Sequence, residues 1–207
     1  MENLRDIFET TASKYTGNKT SIHTLWDEIE NHYSVKRRYY HNLSHLQNIF
    51  NSLQPIKDII NDWDTMVFSV FYHDIIYDIK RNDNEEKSAE LAQKRLAGIS
   101  YPDELIVKCC NQILATKNHR FSDDRDTNIF TDSDLAILGQ TEDVYIEYAK
   151  QIRKEYSIIP KLLYNKGRIK VLTHFMEMER IFKSDYFFHE FEAKARQNID
   201  NELMMLS

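Results

Sequence analysis

Helical periodicity runs through almost the whole chain and limits its fold more than any other feature. Apolar residues recur at i, i+3, i+4 and i+7, for example at Leu46, Ile49, Phe50 and Leu53. Only four glycines and three prolines occur in 207 residues, and no segment alternates between turn signals as a strand does. We therefore predict an all-α bundle in a single domain over 1–207.

The composition is typical of a folded, soluble chain, with 42% hydrophobic and 29% charged residues. The net charge of −6 disfavours nucleic acid as a partner. No apolar run approaches the roughly 18 residues that a membrane span needs, and we expect no secretory leader. Cys109 and Cys110 are adjacent in the sequence. We interpret them as small buried residues of a protein in a reducing compartment. We expect a cytoplasmic protein without a membrane partner, and leave a homodimer open.

His41 and His45 lie four residues apart, the spacing at which two side chains share one helix face. Asn42, between them, is a good N-cap. A helix that begins there places His45 in its first turn and leaves His41 in the extended chain before it. Asn42 also occupies the position of the glutamate in HExxH, which excludes that motif. Of the two histidines, His45 is therefore the better inward-facing metal ligand.

The segment DWDTMVFSVFYHDIIYD, 62–78, is apolar nearly all round, which predicts a buried central helix. Its inward stripe continues to His73 and Asp74. A buried carboxylate without a partner costs several kcal/mol, on the order of 3–5. Two explanations fit: a His73–Asp74 hydrogen bond that orders the core, or a divalent cation, for which imidazole and carboxylate are normal ligands.

Two aspartates lie beside an apolar run in TDSDLAILG. We interpret Asp132 as a helix N-cap. Asp134, directly before Leu135, is better placed to be carried inward. The preceding segment RFSDDRDTN, 120–128, is rich in aspartate and arginine, and we predict a loose connection there.

Four blocks in one order, RRYYHNLSH, FYHDIIYD, NEEKSA and DSDLAILG, resemble the HD superfamily of metal-dependent phosphohydrolases. They resemble most closely a branch of predicted HD-type phosphohydrolases. The matching motifs run over about 37–156, with the N- and C-terminal helices expected to pack on this part. An adjacent His-Asp pair alone is a weak signal, whereas four ordered blocks are a strong one.

The resemblance implies an HD-like bundle that binds one divalent cation between its central helices, with Mn, Mg, Fe, Zn, Ni and Co as candidates. The implied ligands are His45, His73, Asp74 and Asp134. A bound dication makes water a better nucleophile near neutral pH and polarises a phosphoryl oxygen. The expected activity is therefore hydrolysis of a phosphate ester, with a nucleotide or another small phosphorylated metabolite as substrate.

Hydrolysis also needs a group that orients or deprotonates the water. Asp78, one helical turn past Asp74 in the predicted helix, is the first candidate, followed by Glu85 and Glu86. Some HD phosphatases place a glutamate soon after the His-Asp pair, where this chain has Ile-Ile-Tyr-Asp. The chain departs from the family pattern at that position, so the resemblance does not assign the base.

Phosphate requires counter-charge or hydrogen-bond donors beyond the metal. The candidates for substrate binding are His41, Arg38, His119 and Lys117. Each also fits a solvated residue near a helix end, and His119 fits a second metal as well. Two further functions stay open: an HD module that binds metal or nucleotide without turnover, and a di-iron oxygenase-type reaction on the same fold.

Overall fold

The computed structural model describes residues 3–206, and within that range it is helical throughout and contains no β-strand. The predicted all-α class is thus confirmed for the described residues. The α-helices are α1 Leu4–Ala12, α2 Lys19–Tyr33, α3 Leu43–Leu53, α4 Trp63–Tyr72, α5 Asn84–Ala97, α6 Asp103–Ala115, α7 Arg125–Leu135, α8 Glu142–Glu155, α9 Lys161–Glu177 and α10 Asp185–Leu206. Two 3₁₀ segments, Gln54–Ile59 and Ala136–Gly139, follow α3 and α7. None of the described helices is both long enough and apolar enough to span a membrane.

Helix α4 lies at the centre of the bundle, because it is apolar on every side and can be buried on every side. It packs against α1, α3, α5, α6 and α7. Aromatic rings fill the contact with α1, where Phe8 meets Phe71 edge-on at 5.4 Å between ring centroids. One continuous set of buried apolar side chains extends from Leu4 to Ile199. The end of α4 is therefore surrounded by several helices that can supply side chains to one point.

Helix α3 begins where its N-cap signal predicts. Asn42 is the N-cap, and its side-chain oxygen accepts the Ser44 N–H at 2.8 Å. His45 consequently lies in the first turn and is buried, whereas His41 precedes the helix. The two histidines therefore do not share a helix face, as predicted.

The prediction that the central helix extends to residue 78 is wrong. Helix α4 ends at Tyr72, and His73 is its C-cap. The guanidinium of Arg38 donates to the backbone carbonyls of Asp74 and Ile75 at 2.6 and 2.8 Å. Those carbonyls would accept N–H groups from the next turn of a continuing helix. Their capture by Arg38 favours a turn at this point, and that turn carries Asp74.

Helix α7 begins inside the segment that was predicted to be loose. Asp124 is its N-cap and accepts the Thr127 N–H at 3.0 Å, so Arg125 already belongs to the first turn. Asp126 is fully buried, and it accepts the backbone N–H of Asn61 and of Asp62, both at 3.0 Å. Of the aspartates that suggested a loop, Asp124 therefore caps α7, and Asp126 anchors the backbone that leads into α4, whose own N-cap is Asp62.

Asp132 lies inside α7 and is not the N-cap of its own helix. Its carboxylate accepts the backbone N–H of Lys183 at 3.0 Å and of Ser184 at 2.7 Å, immediately before α10. It therefore anchors the backbone that leads into a distant helix. Gly139 fixes the approach of the same helix, because a Cβ there would lie 2.5–2.8 Å from atoms of Phe191.

Candidate metal centre

Three donor groups meet where α3, α4 and the turn after α4 come together. The Nε2 atoms of His45 and His73 lie 3.2 Å apart. Asp74 Oδ2 lies 3.2 Å from His73 Nε2 and 3.9 Å from His45 Nε2. These three residues each offer a ligand atom within 4.8 Å of the other two, and they could hold a metal ion. Both imidazoles are almost completely buried.

Asp134, near the end of α7, approaches the same two imidazoles. Its Oδ1 lies 3.2 Å from His45 Nε2 and 3.7 Å from His73 Nε2. The four residues that the family resemblance implies as ligands are therefore close together, although they come from three helices and a turn. Their sequence separation means that tertiary packing, and not one local motif, assembles the cluster.

The hydrogen bonding of His73 suits a ligand. Its Nδ1 lies 2.9 Å from the Val70 carbonyl, which can only accept, so Nδ1 carries a proton. Nε2 is then the nitrogen that faces the other donors, and it would bind an ion once its own proton is displaced; metal-binding histidines commonly have this arrangement. The 3.2 Å between Nε2 of His73 and Nε2 of His45 is close to the roughly 3 Å expected for two nitrogens about 2.1 Å from one ion at right angles. The donors therefore fit a divalent cation.

The carboxylates of the cluster stay ionised. Burial alone would raise the pKa of Asp74, but the imidazoles of His73 and His41 outweigh it and lower that pKa. Burial likewise opposes ionisation of Asp134, yet the hydrogen bond with His45 brings its pKa to about 2. The pKa of His73 is raised to about 9, because the Asp74 carboxylate outweighs burial. In the metal-free cluster the protonated His73 thus balances part of the carboxylate charge, and a bound dication would take over that role as the imidazole proton leaves.

Glu155, at the C-terminal end of α8, is a buried carboxylate that the sequence analysis missed. Its Oε1 accepts the backbone N–H of Tyr40 and of His41 at 2.8 and 2.9 Å. Its Oε2 lies 2.7 Å from His41 Nδ1 and accepts the Tyr77 hydroxyl at 2.8 Å. All four neighbours are donors, and the pKa of Glu155 is lowered because its hydrogen bonds, that of His41 foremost, outweigh burial.

This carboxylate orients His41. An ionised carboxylate only accepts hydrogen bonds, so Nδ1 of His41 carries a proton and the ring is held with Nε2 pointing the other way. Nε2 lies 3.9 Å from Asp74 Oδ2, at the edge of the donor cluster. The His41 side chain keeps 19% of its surface exposed, against 2% for His45. His41 therefore lies where it can meet both the cluster and a ligand that enters from solvent.

His119 approaches the cluster from the side of Asp134. It has a left-handed backbone with φ of 47°, which is unusual for a residue other than glycine. Its Nε2 lies 3.8 Å from Asp134 Oδ2, and burial lowers the pKa of its imidazole to about 4. Its position beside a candidate ligand makes His119 a candidate member of the site.

The remaining predicted site residues have other partners. Arg38 holds the turn that carries Asp74 and lies 5.0 Å from the Tyr33 ring centroid, so its guanidinium serves the scaffold. Lys117 is exposed and donates to the Asn82 carbonyl at 2.8 Å and to Glu86. These contacts do not favour the phosphate-binding role predicted for either residue.

The two predicted catalytic carboxylates are likewise engaged away from the cluster. Asp78 lies in an exposed turn, since α4 has already ended, and its Oδ1 accepts the Lys80 N–H at 2.9 Å. Glu85, in the first turn of α5, lies 3.9 Å from Lys117 Nζ. The helical spacing that placed Asp78 one turn from Asp74 does not exist in the fold.

A cavity of about 460 Å³ reaches the cluster at His45 and Asp134. Its other walls carry amide, hydroxyl, aromatic and aliphatic side chains and no lysine or arginine among the described residues. Tyr40 and Asn48 belong to it, and neither of their side-chain polar groups has a hydrogen bond within residues 3–206. Groups of this kind are available to a bound ligand.

Comparisons with known proteins do not place the chain in a family. No protein-family model matches it. Neither the curated proteins nor the solved structures give a significant match.

Proposed function

We propose that the protein is a metal-dependent phosphohydrolase with an HD-like arrangement of ligands. The observation that carries the proposal is the convergence of four ligand-type side chains, with the Nε2 atoms of His45 and His73 3.2 Å apart between Asp74 and Asp134. The resemblance of four sequence blocks to HD phosphohydrolases supports it. Cytoplasmic location and a small phosphorylated substrate belong to the same proposal.

His45, His73, Asp74 and Asp134 would hold one divalent cation. When bound, such an ion polarises a phosphoryl oxygen and lowers the pKa of water. Two buried imidazoles and two carboxylates form a mixed set that suits Mn²⁺, Fe²⁺ or Zn²⁺ better than a set of oxygens alone would. Because the two carboxylates match the charge of a dication, binding would also relieve their mutual repulsion.

His41 replaces Asp78 as our candidate for proton transfer. In hydrolysis of a phosphate ester, a bond from water oxygen to phosphorus forms, the ester P–O bond breaks, and the departing oxygen takes up a proton. His41 Nε2 is the group at the partly exposed edge of the cluster that can hold and move such a proton, because Glu155 fixes Nδ1 in its protonated form. Tyr40 and Asn48 would contact the organic part of the substrate in the adjoining cavity.

The test combines metal analysis with assays of phosphate release. We expect about one Mn, Fe, Zn, Co or Ni ion per chain after purification, or after loading, and metal-dependent hydrolysis of at least one member of a panel of phosphomonoesters and phosphodiesters. His45→Ala should lose the metal and keep its helical circular-dichroism spectrum. His174→Ala, an exposed histidine of α9, should keep both metal and activity.

The outcomes separate the alternatives. A protein that binds one ion tightly but releases no phosphate over prolonged incubation would be a binding module and would refute the enzymatic proposal. Two irons per chain would favour the oxygenase-type reaction. Retention of metal in a folded His45→Ala variant would refute the assigned ligand set.

A further inference from the structure

A second cavity, of about 590 Å³, lies behind the His41–Glu155 pair and contacts none of the four proposed ligands. Its walls come from three segments: residues 32–39 at the end of α2 and before α3, residues 75–80 after α4, and residues 154–158 at the end of α8. Concave sites of roughly 300–1,000 Å³ are the usual size for small-molecule ligands. The cavity is therefore large enough for a metabolite.

Three exposed cations line this cavity without an acidic partner. Arg37, Lys80 and Lys154 contribute one basic side chain from each segment, and none forms an ion pair within the described residues. Among the described residues that line the cavity, Asp78 is the only carboxylate that is not buried, and its Oδ1 accepts the Lys80 N–H. In a chain with a net charge of −6, a concave site with three unpaired cations is an exception. Such a site attracts an anion.

The same cavity also exposes apolar surface. Val35, Tyr39 and Ile158 are each about half exposed at its margin, with 52%, 45% and 51% of their surfaces accessible. Lys154 Nζ lies 5.9 Å from the Tyr39 ring centroid, so charge and aromatic surface are adjacent. A ligand that uses both must combine an anionic group with an apolar or aromatic group.

The inner wall connects this cavity to the candidate metal centre. Tyr77 and Glu155 belong to the wall, and both are in the hydrogen-bond network that fixes His41. Arg38, also in the wall, holds the backbone carbonyl of Asp74. A ligand that shifts any of these side chains would change the position of His41 or of Asp74.

We propose that this cavity binds a phosphorylated small molecule with an aromatic or apolar group, and that its occupancy is transmitted to His41 through Glu155 and Tyr77. A phosphate group carries more than one negative charge near neutral pH and can contact several separate cations, which a single carboxylate does less well. Coupling of this kind must be reciprocal, so the state of the metal centre would change the affinity of the cavity by the same factor.

The test uses the full-length protein and AMP as the probe, with adenosine and inorganic phosphate as the two partial ligands. Calorimetric titrations are made with the protein as purified and again with EDTA. We expect AMP to bind under both conditions, and at least tenfold more tightly than either partial ligand. Binding that disappears with EDTA, or no preference for AMP, would overturn the proposal.

Charge-reversal variants locate the site. Arg37→Glu and Lys154→Glu should each weaken AMP binding at least tenfold, which is about 1.4 kcal/mol. Lys36→Glu is the matched control, since it makes the same charge change one residue from Arg37 but lies outside the cavity lining. It should change the affinity by less than about threefold, the long-range effect of an exposed charge in salt. Equal effects in all three variants would refute the location.

The coupling has its own readout. In protein labelled with ¹⁵N-histidine, saturation with AMP should shift the ring-nitrogen resonances of His41, identified by their loss in His41→Asn. The resonances of His174, which is exposed on α9, should stay fixed. AMP binding without a shift at His41 would refute the transmission through Glu155.

Discussion

The Glu155→Gln variant tests the orientation of His41 most directly. Glutamine keeps the shape of glutamate but replaces one acceptor oxygen by an NH₂ group. The backbone N–H groups of Tyr40 and His41 can only donate, so the glutamine oxygen must face them. The NH₂ group then faces His41 Nδ1 and the Tyr77 hydroxyl, at the position where Oε2 accepts both in the wild type.

These constraints force a change of tautomer at His41. The Tyr77 hydroxyl can rotate and accept a hydrogen bond, but His41 Nδ1 can accept only if its proton moves to Nε2. The wild-type pKa of His41 is raised, because the carboxylates of Asp74 and Glu155 outweigh the opposing effect of burial. Removing the charge of Glu155 should lower that pKa. The variant should therefore hold a neutral His41 with its proton on Nε2, next to Asp74.

The expected loss of stability follows from the same four hydrogen bonds. Bonds to a charged group contribute about 1 kcal/mol more than neutral ones, which gives an upper limit of about 4 kcal/mol for four of them. A buried neutral amide costs less to desolvate than a carboxylate, so we expect a net loss of about 2 kcal/mol in the free energy of unfolding. The loss should vanish at low pH in the metal-free protein: the depressed pKa of Glu155 stabilises the fold above the unfolded pKa, and this contribution disappears as the pH falls through the folded pKa.

Urea unfolding and ¹⁵N spectra of the His41 ring supply the two measurements. Glu147→Gln, an exposed change on the same helix, should cost no more than about 0.5 kcal/mol. If Glu155→Gln matched that control and His41 kept its Nδ1 proton, Glu155 would not orient His41.

Two further substitutions test the surroundings of the cluster. Arg38→Lys should lower the free energy of unfolding by about 1–3 kcal/mol, because one ammonium cannot replace two guanidinium nitrogens on the carbonyls of Asp74 and Ile75. Thermal unfolding measures this loss, and an unchanged midpoint would show that Arg38 does not hold these carbonyls. His41→Asn should leave the bound metal in place and lower phosphate release by roughly 10²-fold or more; a folded variant with full activity would exclude His41 from proton transfer.

The sequence predicted those parts of the structure that depend on residues close together in the chain. The Asn42 cap fixed the start of α3 and separated His41 from His45, since an N-cap needs only its own side chain and the next N–H groups. The apolar character of the central segment likewise predicted that α4 would be buried. The same reasoning failed at its C-terminus, because the acceptor carbonyls are captured by Arg38, 36 residues earlier than Asp74. A helix C-terminus that is determined by a distant side chain cannot be recognised from the residues around it.

The aspartates of α7 show the same division between local and distant partners. Asp124 caps its own helix, and the sequence alone places it directly before Arg125, the first residue of α7. Asp126 and Asp132 instead accept hydrogen bonds from residues 61–62 and 183–184. Counting acidic residues in a short window predicts a loop. In the fold, each of these buried carboxylates is instead compensated by hydrogen-bond donors from a distant part of the chain.

Glu155 could have been found by the argument that identified Asp74. Tyr145, Tyr148, Ile152 and Glu155 follow one another at helical spacing, so the stripe of α8 that faces the core ends on a carboxylate. Burial of that carboxylate requires donors, and the fold supplies them from distant parts of the chain. Its main partner, His41, is 114 residues away. The stripe predicts that Glu155 has a buried partner, and only the packing of α8 against the chain before α3 identifies that partner as the histidine at the edge of the metal centre.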